Sequence, residues 1–181
     1  RVLELGCGSG GNLIPMACQL PDTEFLGIDL AQRATESGNA TIAQLGLRNV
    51  RLQHRNIMDV SDADGRFDYI IAHGVYSWVP QFVRDKILSI FSRNLSPHGV
   101  AFVSYNAFPG AHLRNLVRSM MLFHVRAATD PRERIAQSRG LMKFLAEAGR
   151  DEDIYGFILR DQFDRIKNVP DEVFIHDDLD E

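Results

Sequence analysis

Short apolar runs alternate with stretches of helical periodicity in the first part of the chain. The runs that predict strands cover residues 1–5, 23–30, 50–56 and 67–72, and residues 95–105 predict a turn at Pro97-His98-Gly99 with a fifth strand. Between the first two runs, Leu13, Ala17 and Leu20 share one face of a predicted helix. A second helix is predicted by the apolar positions Ala31, Ala34, Gly38, Ile42 and Leu45. This alternation predicts an α/β fold, a doubly wound, Rossmann-like and mainly parallel sheet covered on both faces.

Beyond Pro109 the pattern changes from strands to helices. Leu113, Val117, Met120 and His124 recur at helical spacing, and Asp130 with Glu133 has a capping-box pattern. We therefore expect a core at residues 1–108, followed by a helical region at residues 109–181 that includes the start of a C-terminal part. The exposed face of this region should be positive because it carries Arg114, Arg118, Arg126, Arg132, Arg134 and Arg139.

A glycine cluster follows the first predicted strand and precedes the first helix. Gly6, Gly8 and Gly10 lack a Cβ where the chain must turn sharply, which lets a ligand approach main-chain amides. Gly6, Gly8 and Gly11 also satisfy the spacing of a pyrophosphate-binding dinucleotide loop. The glycines alone therefore leave two kinds of adenosine cofactor open.

Glu4, on the strand before the glycine loop, favours one of the two cofactors. Its carboxylate would repel the pyrophosphate of a dinucleotide across a weakly screened gap. S-adenosylmethionine has no phosphate and carries a sulfonium and an α-ammonium, which a carboxylate attracts. The alternative for Glu4 is a hydrogen bond that only braces the loop.

Asp29 ends the second predicted strand, roughly twenty residues after the glycine turn, as in adenosine-binding sites of this kind. A carboxylate at that point can accept hydrogen bonds from both ribose hydroxyls, and each such bond contributes roughly 1.5 to 3 kcal/mol. Both candidate cofactors contain this ribose. Asp29 therefore supports adenosine binding without choosing between methyl and hydride transfer.

Taken together, residues 1 to about 110 resemble the class I S-adenosylmethionine-dependent methyltransferases. Glu4 to Gly10 match the family's first motif, an acid followed by alternating glycines, and the predicted strands follow in the family's order. The resemblance implies an S-adenosylmethionine site formed by Glu4, Gly6, Cys7, Gly8, Ser9, Gly10, Asn12, Asp29, Leu30, Asn56, Ile57 and His73. Asn56 and Ile57 occupy the place where the family carries a residue near the adenine.

A narrower likeness involves residues 73–80, His-Gly-Val-Tyr-Ser-Trp-Val-Pro, and residues 105–110, Tyr-Asn-Ala-Phe-Pro-Gly. With the helical stretch that follows, they resemble bacterial methyltransferases that carry a methyltransferase regulatory region. That group includes lysine methyltransferases of outer-membrane proteins. If the acceptor is a lysine amine, it must lose a proton before attack, and His73 and Tyr76 are the candidate catalytic residues.

Composition limits the other functions of this 181-residue chain. A net charge of −4 without a basic cluster argues against a nucleic-acid partner. Cys7 and Cys18 have no metal-ligand spacing, so no metal is expected, and two lone thiols indicate a reducing cytoplasm. No apolar run is long enough to cross a bilayer.

Arg1 already lies inside the first predicted strand, and the predicted strands are fewer than the family's sheet contains. We therefore expect a fragment that lacks part of the sheet and is truncated at both ends. The acceptor is a protein side chain in the first hypothesis and a small molecule in the second. An NAD-dependent oxidoreductase and a non-catalytic cofactor-sensing module remain alternatives. The sequence leaves open whether the chain forms a homo-oligomer.

Overall fold

The computed structural model describes residues 1–149 and 152–179. Its strands are β1 (Val2–Leu5), β2 (Phe25–Asp29), β3 (Val50–His54), β4 (Phe67–Ala72) and β5 (Leu95–Val103). Its helices are α1 (Leu13–Gln19), α2 (Gln32–Gln44), α3 (Gln81–Asn94), α4 (Ala111–His124), α5 (Pro131–Ala148), α6 (Ile154–Ile166) and α7 (Asp171–Phe174). The strands form one sheet in the order β3-β2-β1-β4-β5, and every neighbouring pair is parallel. The predicted fold class is confirmed.

Both faces of β1 are buried, as expected for the centre of a parallel sheet. On one face Leu3 and Leu5 join a core cluster that includes Ile87 and Ile90 of α3. On the other face Val2 packs in a second cluster with residues of α1 and α2. The strand period of two therefore sends successive side chains of β1 into different cores.

The direction of the chain across the sheet reverses at β1. β2 and β3 lie on one side of β1, whereas β4 and β5 lie on the other. Because all strands are parallel, the loops that follow β1, β2, β3 and β4 leave the same edge of the sheet. Ligands of open α/β sheets bind at this carboxyl edge, next to such a reversal.

The predicted turn at Pro97-His98-Gly99 lies inside β5 rather than before it. Phe67 pairs with Leu95, whereas Tyr69 pairs with Val100, so the register shifts between the two pairs. Proline cannot donate a main-chain hydrogen bond and is tolerated in strands at such irregularities. The strand then pairs regularly toward its carboxyl end.

The apolar stripes of α1 and α2 predict a buried face, but three of their positions, Leu20, Ala31 and Leu45, are exposed. Leu20 follows the last residue of α1 and is 51% exposed, and Leu45 follows the last residue of α2 and is 54% exposed. Both helices end before their apolar stripe does. In α2 the end is set by Gly46, which takes a left-handed φ of +67°. The buried side of α2 is formed by Thr35, Gly38 and Ile42.

Gly38 brings α2 against the glycine loop. A Cβ at this position would overlap the carbonyl oxygen of Ser9 and a methyl group of Leu52. We expect Gly38→Ala to lower the free energy of unfolding by about 1–3 kcal/mol, the usual cost of overpacking. Thermal denaturation of the full-length protein would measure it, with Ser37→Ala on the exposed side of α2 as control. Equal melting temperatures for the two variants would contradict the packing argument.

The structure divides into two compact units, Arg1–Tyr105 and Asn106–Glu181. The described part of the second unit is helical, and its core includes Val117, Met121, Met142, Leu159 and Phe174. α5 begins after Asp130, whose carboxylate accepts a hydrogen bond from the main-chain N–H of Arg132. None of the described helices combines the length and apolar character that crossing a membrane requires.

The expected positive face of the helical region is wrong for three of its arginines. Arg114 forms an ion pair with Asp178 at 3.1 Å, and Arg134 donates to the main-chain carbonyl of Leu179 at 2.6 Å. Arg139 pairs with Asp171. These side chains fasten the segment at 169–179 to α4 and α5, and all three are only partly exposed. Arg126 and Arg132 are exposed as predicted.

Candidate cofactor site

The glycine loop after β1 has the backbone conformation that its sequence predicts. Gly6, Gly8 and Gly10 have φ values of +75°, +53° and +79°, a region that side chains disfavour. A side chain at position 6 is excluded for a second reason, because its Cβ would overlap the Cγ2 methyl of Val75. The loop that follows β4 therefore packs directly on the glycine loop.

The main-chain amides of this loop are largely used inside the protein. The N–H groups of Gly6 and Cys7 both donate to the carbonyl of Ile28, at 2.9 and 3.1 Å. Gly10 N–H donates to the carbonyl of Cys7, and Gly8 N–H donates to Asp29. These four groups are not free to cradle a pyrophosphate, contrary to the expectation that the turn exposes them to a ligand.

Glu4 is buried, with 3% of its surface exposed. Its Oε1 accepts a hydrogen bond from Asn12 Nδ2 at 2.9 Å, whereas Oε2 is buried without a hydrogen-bond partner among the described residues. Burial raises the pKa of Glu4, against the opposing effects of the Asn12 hydrogen bond and of nearby His73. The carboxylate thus braces the loop, and its second, unpartnered oxygen suits a positively charged group such as an ammonium.

Asp29 lies at the carboxyl end of β2 and connects two segments of the site. Its Oδ2 accepts from Gly8 N–H at 2.7 Å, and its Oδ1 accepts from Ala31 N–H at 2.8 Å. A carboxylate has about four lone-pair positions, so each oxygen retains one for a further donor. The side chain fits a ribose diol and also holds the glycine loop, a role that sequence reasoning missed.

The predicted adenine contacts follow β3. The Asn56 carbonyl Oδ1 caps a short 3₁₀ helix by accepting from Met58 N–H at 2.9 Å. The side chain of Ile57 packs in the core cluster below that edge, whereas the side chain of Leu30, after β2, is exposed. Contact of Asn56 and Ile57 with adenine, and of Leu30 with the cofactor, stays a prediction.

Cys7 takes part in the glycine loop through its backbone and not through its thiol. The side chain is buried, and burial, together with the charges of Asp29 and Glu4, raises the pKa of the thiol to about 12. The thiol is therefore protonated and unreactive near neutral pH. Ser9 is exposed on the same loop, and Cys18 is a free, exposed thiol of α1.

His73 and Tyr76 lie on the loop after β4, at the same edge as Glu4 and Asp29. His73 is exposed, and its Nδ1 lies 3.0 Å from the hydroxyl oxygen of Ser104. Tyr76 is half-buried and packs edge-on against Tyr105, with 6.4 Å between the ring centroids. Sequence reasoning missed Ser104 and Val75, although Ser104 follows an apolar strand at the carboxyl edge, which is the signal that identified Asp29.

The edge therefore combines a buried carboxylate with a free oxygen, a second carboxylate beside the glycine loop and an aromatic surface after β4. No group of three or more His, Cys, Asp or Glu side chains in the described ranges is arranged to hold a metal ion. This arrangement can hold an adenosine compound that carries a positive charge and no phosphate.

Comparisons with known proteins show which chains this one is similar to. Protein RP789 of Rickettsia prowazekii is 42% identical over 182 residues, which cover 100% of this chain and 33% of the relative. Protein RP028 of the same organism is 38% identical and covers 100% of this chain and 73% of the relative. The solved structure of PKMT2 from Rickettsia typhi in complex with AdoHcy is 40% identical with a TM-score of 0.87, covering 99% of this chain and 35% of that chain.

The fold and these similarities define a class I methyltransferase domain, a family whose cofactor is S-adenosylmethionine. The chain belongs to the methyltransferase domain family, which it matches over residues 2–99. AdoHcy, S-adenosylhomocysteine, is what remains of S-adenosylmethionine after the methyl group has left. The predicted class and cofactor are confirmed, and the nicotinamide alternative is set aside. The chain spans about a third of the length of RP789 and PKMT2.

Proposed function

We propose that the protein containing this chain transfers the methyl group of S-adenosylmethionine to a lysine side chain of another protein. The observation that supports it best is the similarity to PKMT2, which extends over 99% of this chain. The similarity includes the helical unit as well as the sheet. It fits the resemblance of residues 73–80 and 105–110 to the group that contains protein-lysine methyltransferases.

The proposed roles of the cofactor-binding residues follow from their surroundings. Glu4 Oε2 attracts the α-ammonium because it is buried and lacks another partner. Asp29 accepts hydrogen bonds from the ribose hydroxyls while it holds Gly8. Asn56 and Ile57 lie beside the adenine, since they follow β3 at the same edge. Asn12 holds Glu4 through its hydrogen bond, Cys7 and Ser9 act through the loop backbone, and Leu30 offers an exposed apolar side chain to the cofactor.

S-adenosylmethionine supplies a methyl group on a sulfonium, which is already an activated leaving group. The protein must align the acceptor nitrogen and help it to lose a proton. His73 has one ring nitrogen held by Ser104, so the other is available to take that proton directly or through water. Tyr76 and Tyr105 provide aromatic surface beside this point, and such surface attracts an ammonium by roughly 0.5 to 2 kcal/mol.

Transfer of radiolabelled methyl groups in a lysate tests the proposal. The full-length protein and labelled S-adenosylmethionine are added to a lysate, and label is measured separately in protein and in small metabolites. We expect acid-stable label in protein, at lysine after hydrolysis, and its loss in Asp29→Ala. A parallel titration with AdoHcy shows that the wild-type site is intact.

The other outcomes identify the alternatives. Label confined to small metabolites would reject the protein acceptor and favour small-molecule methylation. Tight binding of AdoHcy without transfer to any acceptor would reject methyl transfer and favour a module that senses the cofactor.

A further inference from the structure

Ser104 connects the ends of β4 and β5 by three hydrogen bonds. Its main-chain N–H donates to the carbonyl of Ala72 at 3.1 Å, which continues the strand pairing by one residue. Its hydroxyl oxygen accepts from Gly74 N–H at 2.8 Å and lies 3.0 Å from His73 Nδ1. One side chain thus holds both the ring and the backbone at the start of the loop after β4.

We propose that Ser104 is a positioning residue that sets the affinity of the cofactor site through His73 and Gly74. The inference rests on the proposed function, in which His73 lies at the cofactor and acceptor. Ser104 itself needs no contact with the cofactor. Its hydroxyl acts by fixing where the loop begins.

The chemistry of the hydroxyl explains why serine suits this point. A main-chain N–H can only donate, so one lone pair of Ser104 Oγ is used by Gly74. The hydroxyl proton and the second lone pair remain for His73. The hydroxyl can therefore donate to an unprotonated Nδ1 or accept from a protonated one, and it holds the ring in either tautomer and in the imidazolium form.

The start of this loop is coupled to the glycine loop. Val75 packs where a Cβ of Gly6 would lie, and His73 is close enough to Glu4 for its charge to lower the pKa of that carboxyl. Gly74 takes a φ of +71°, so the chain turns sharply between His73 and Val75. Releasing Gly74 and the ring of His73 would loosen the packing of Val75 on Gly6 and would let the ring of His73 move relative to Glu4.

Calorimetric titration of AdoHcy into the full-length protein tests this role. We expect Ser104→Ala to weaken binding about threefold to tenfold, the effect of losing one or two hydrogen bonds. Ser96→Ala is the matched control, because Ser96 lies near the other end of β5 and its hydroxyl also has two polar neighbours, the Phe67 carbonyl at 3.2 Å and Asp68 Oδ1 at 2.9 Å. That control should keep wild-type affinity even where its melting temperature falls.

A second pair of variants separates the hydroxyl from the shape of the side chain. Ser104→Thr keeps the hydroxyl. Ser104→Val has nearly the same shape as the threonine variant but lacks the hydroxyl. We expect the threonine variant to bind AdoHcy more tightly than the valine variant. This comparison tests the hydroxyl even if Ser104→Ala does not fold. Combining Ser104→Ala with His73→Ala should cost less than the sum of the two single effects, because both remove the same contact.

Equal AdoHcy affinities for Ser104→Thr and Ser104→Val would overturn the proposal, as would fully additive effects of Ser104→Ala and His73→Ala. Failure of the proposed function has a different signature. In that case the wild-type protein labels no protein acceptor, while AdoHcy affinity still responds to Ser104 and not to Ser96.

Discussion

Replacing Asp29 with alanine is expected to weaken AdoHcy binding at least about tenfold, which corresponds to about 1.4 kcal/mol. The carboxylate holds Gly8 N–H at 2.7 Å and Ala31 N–H at 2.8 Å, and we propose that it also accepts from the ribose. The variant loses the charge-assisted hydrogen bonds to the main-chain N–H groups and those proposed to the ribose. The glycine loop also loses its anchor to the end of β2. Calorimetric titration of the full-length protein measures the effect.

Two further variants make this result specific. Asp22→Ala removes the same charge from an exposed position in the connection before β2, and it should bind AdoHcy like the wild type. Asp29→Asn keeps one acceptor oxygen and should fall between alanine and the wild type. Wild-type affinity in Asp29→Ala would show that the carboxylate contacts only the loop and that the loop does not need it.

Glu4→Gln is expected to weaken AdoHcy binding about tenfold to a hundredfold while leaving the ligand-free protein as stable as before, or more stable. The amide can still accept a hydrogen bond from Asn12, so the loop remains braced. The variant lacks the negative charge that we propose pairs with the ammonium. Affinity and stability should therefore change in opposite directions, which a residue with only a bracing role would not produce.

The pH dependence of Glu4 has a definite sign. Burial raises the pKa of Glu4 above its ordinary value of 4.5, so the folded protein holds this proton more tightly than the unfolded chain. The stabilising contribution of the protonated carboxyl is present below pH 4.5 and is lost as the pH rises through the pKa of the folded state. At neutral pH Glu4 therefore destabilises the ligand-free fold relative to glutamine.

Ligand binding should show the opposite trend. AdoHcy affinity of the wild type should fall as the pH decreases through the raised pKa, because a protonated Glu4 no longer attracts the ammonium. Glu4→Gln should lack that part of the pH dependence, and melting temperatures without ligand provide the second measurement. Parallel pH profiles for the two proteins would contradict the assignment of the ammonium to Glu4.

The sheet was predictable because its strands are short, apolar and separated by clear turn residues. The ends of helices were less predictable, since Leu20 and Leu45 continue the apolar spacing beyond the last helical turn. The arginines of the helical unit show another limit of sequence reasoning. Arg114 and Asp178 are 64 positions apart, so a neighbour that neutralises a charge is invisible in the local pattern.

In the candidate site, sequence reasoning proposed residues but not the contacts that they make with one another. Glu4 and Asp29 were identified from the chemistry of the cofactor, but two interpretations of Glu4 had to stay open. The structure shows that the bracing bond to Asn12 and the free oxygen exist together. Ser104 escaped notice because its partner His73 is 31 residues earlier, and only the parallel pairing of β4 and β5 brings them together.

The double restriction of Gly6 has a consequence for genetic suppression. A methyl side chain there would collide with Val75, and that collision could be relieved by a smaller residue at position 75. The φ of +75° would remain unfavourable for any substituted residue. A revertant of Gly6→Ala that changes Val75 should therefore recover only part of the lost activity, and full recovery should require glycine to return at position 6.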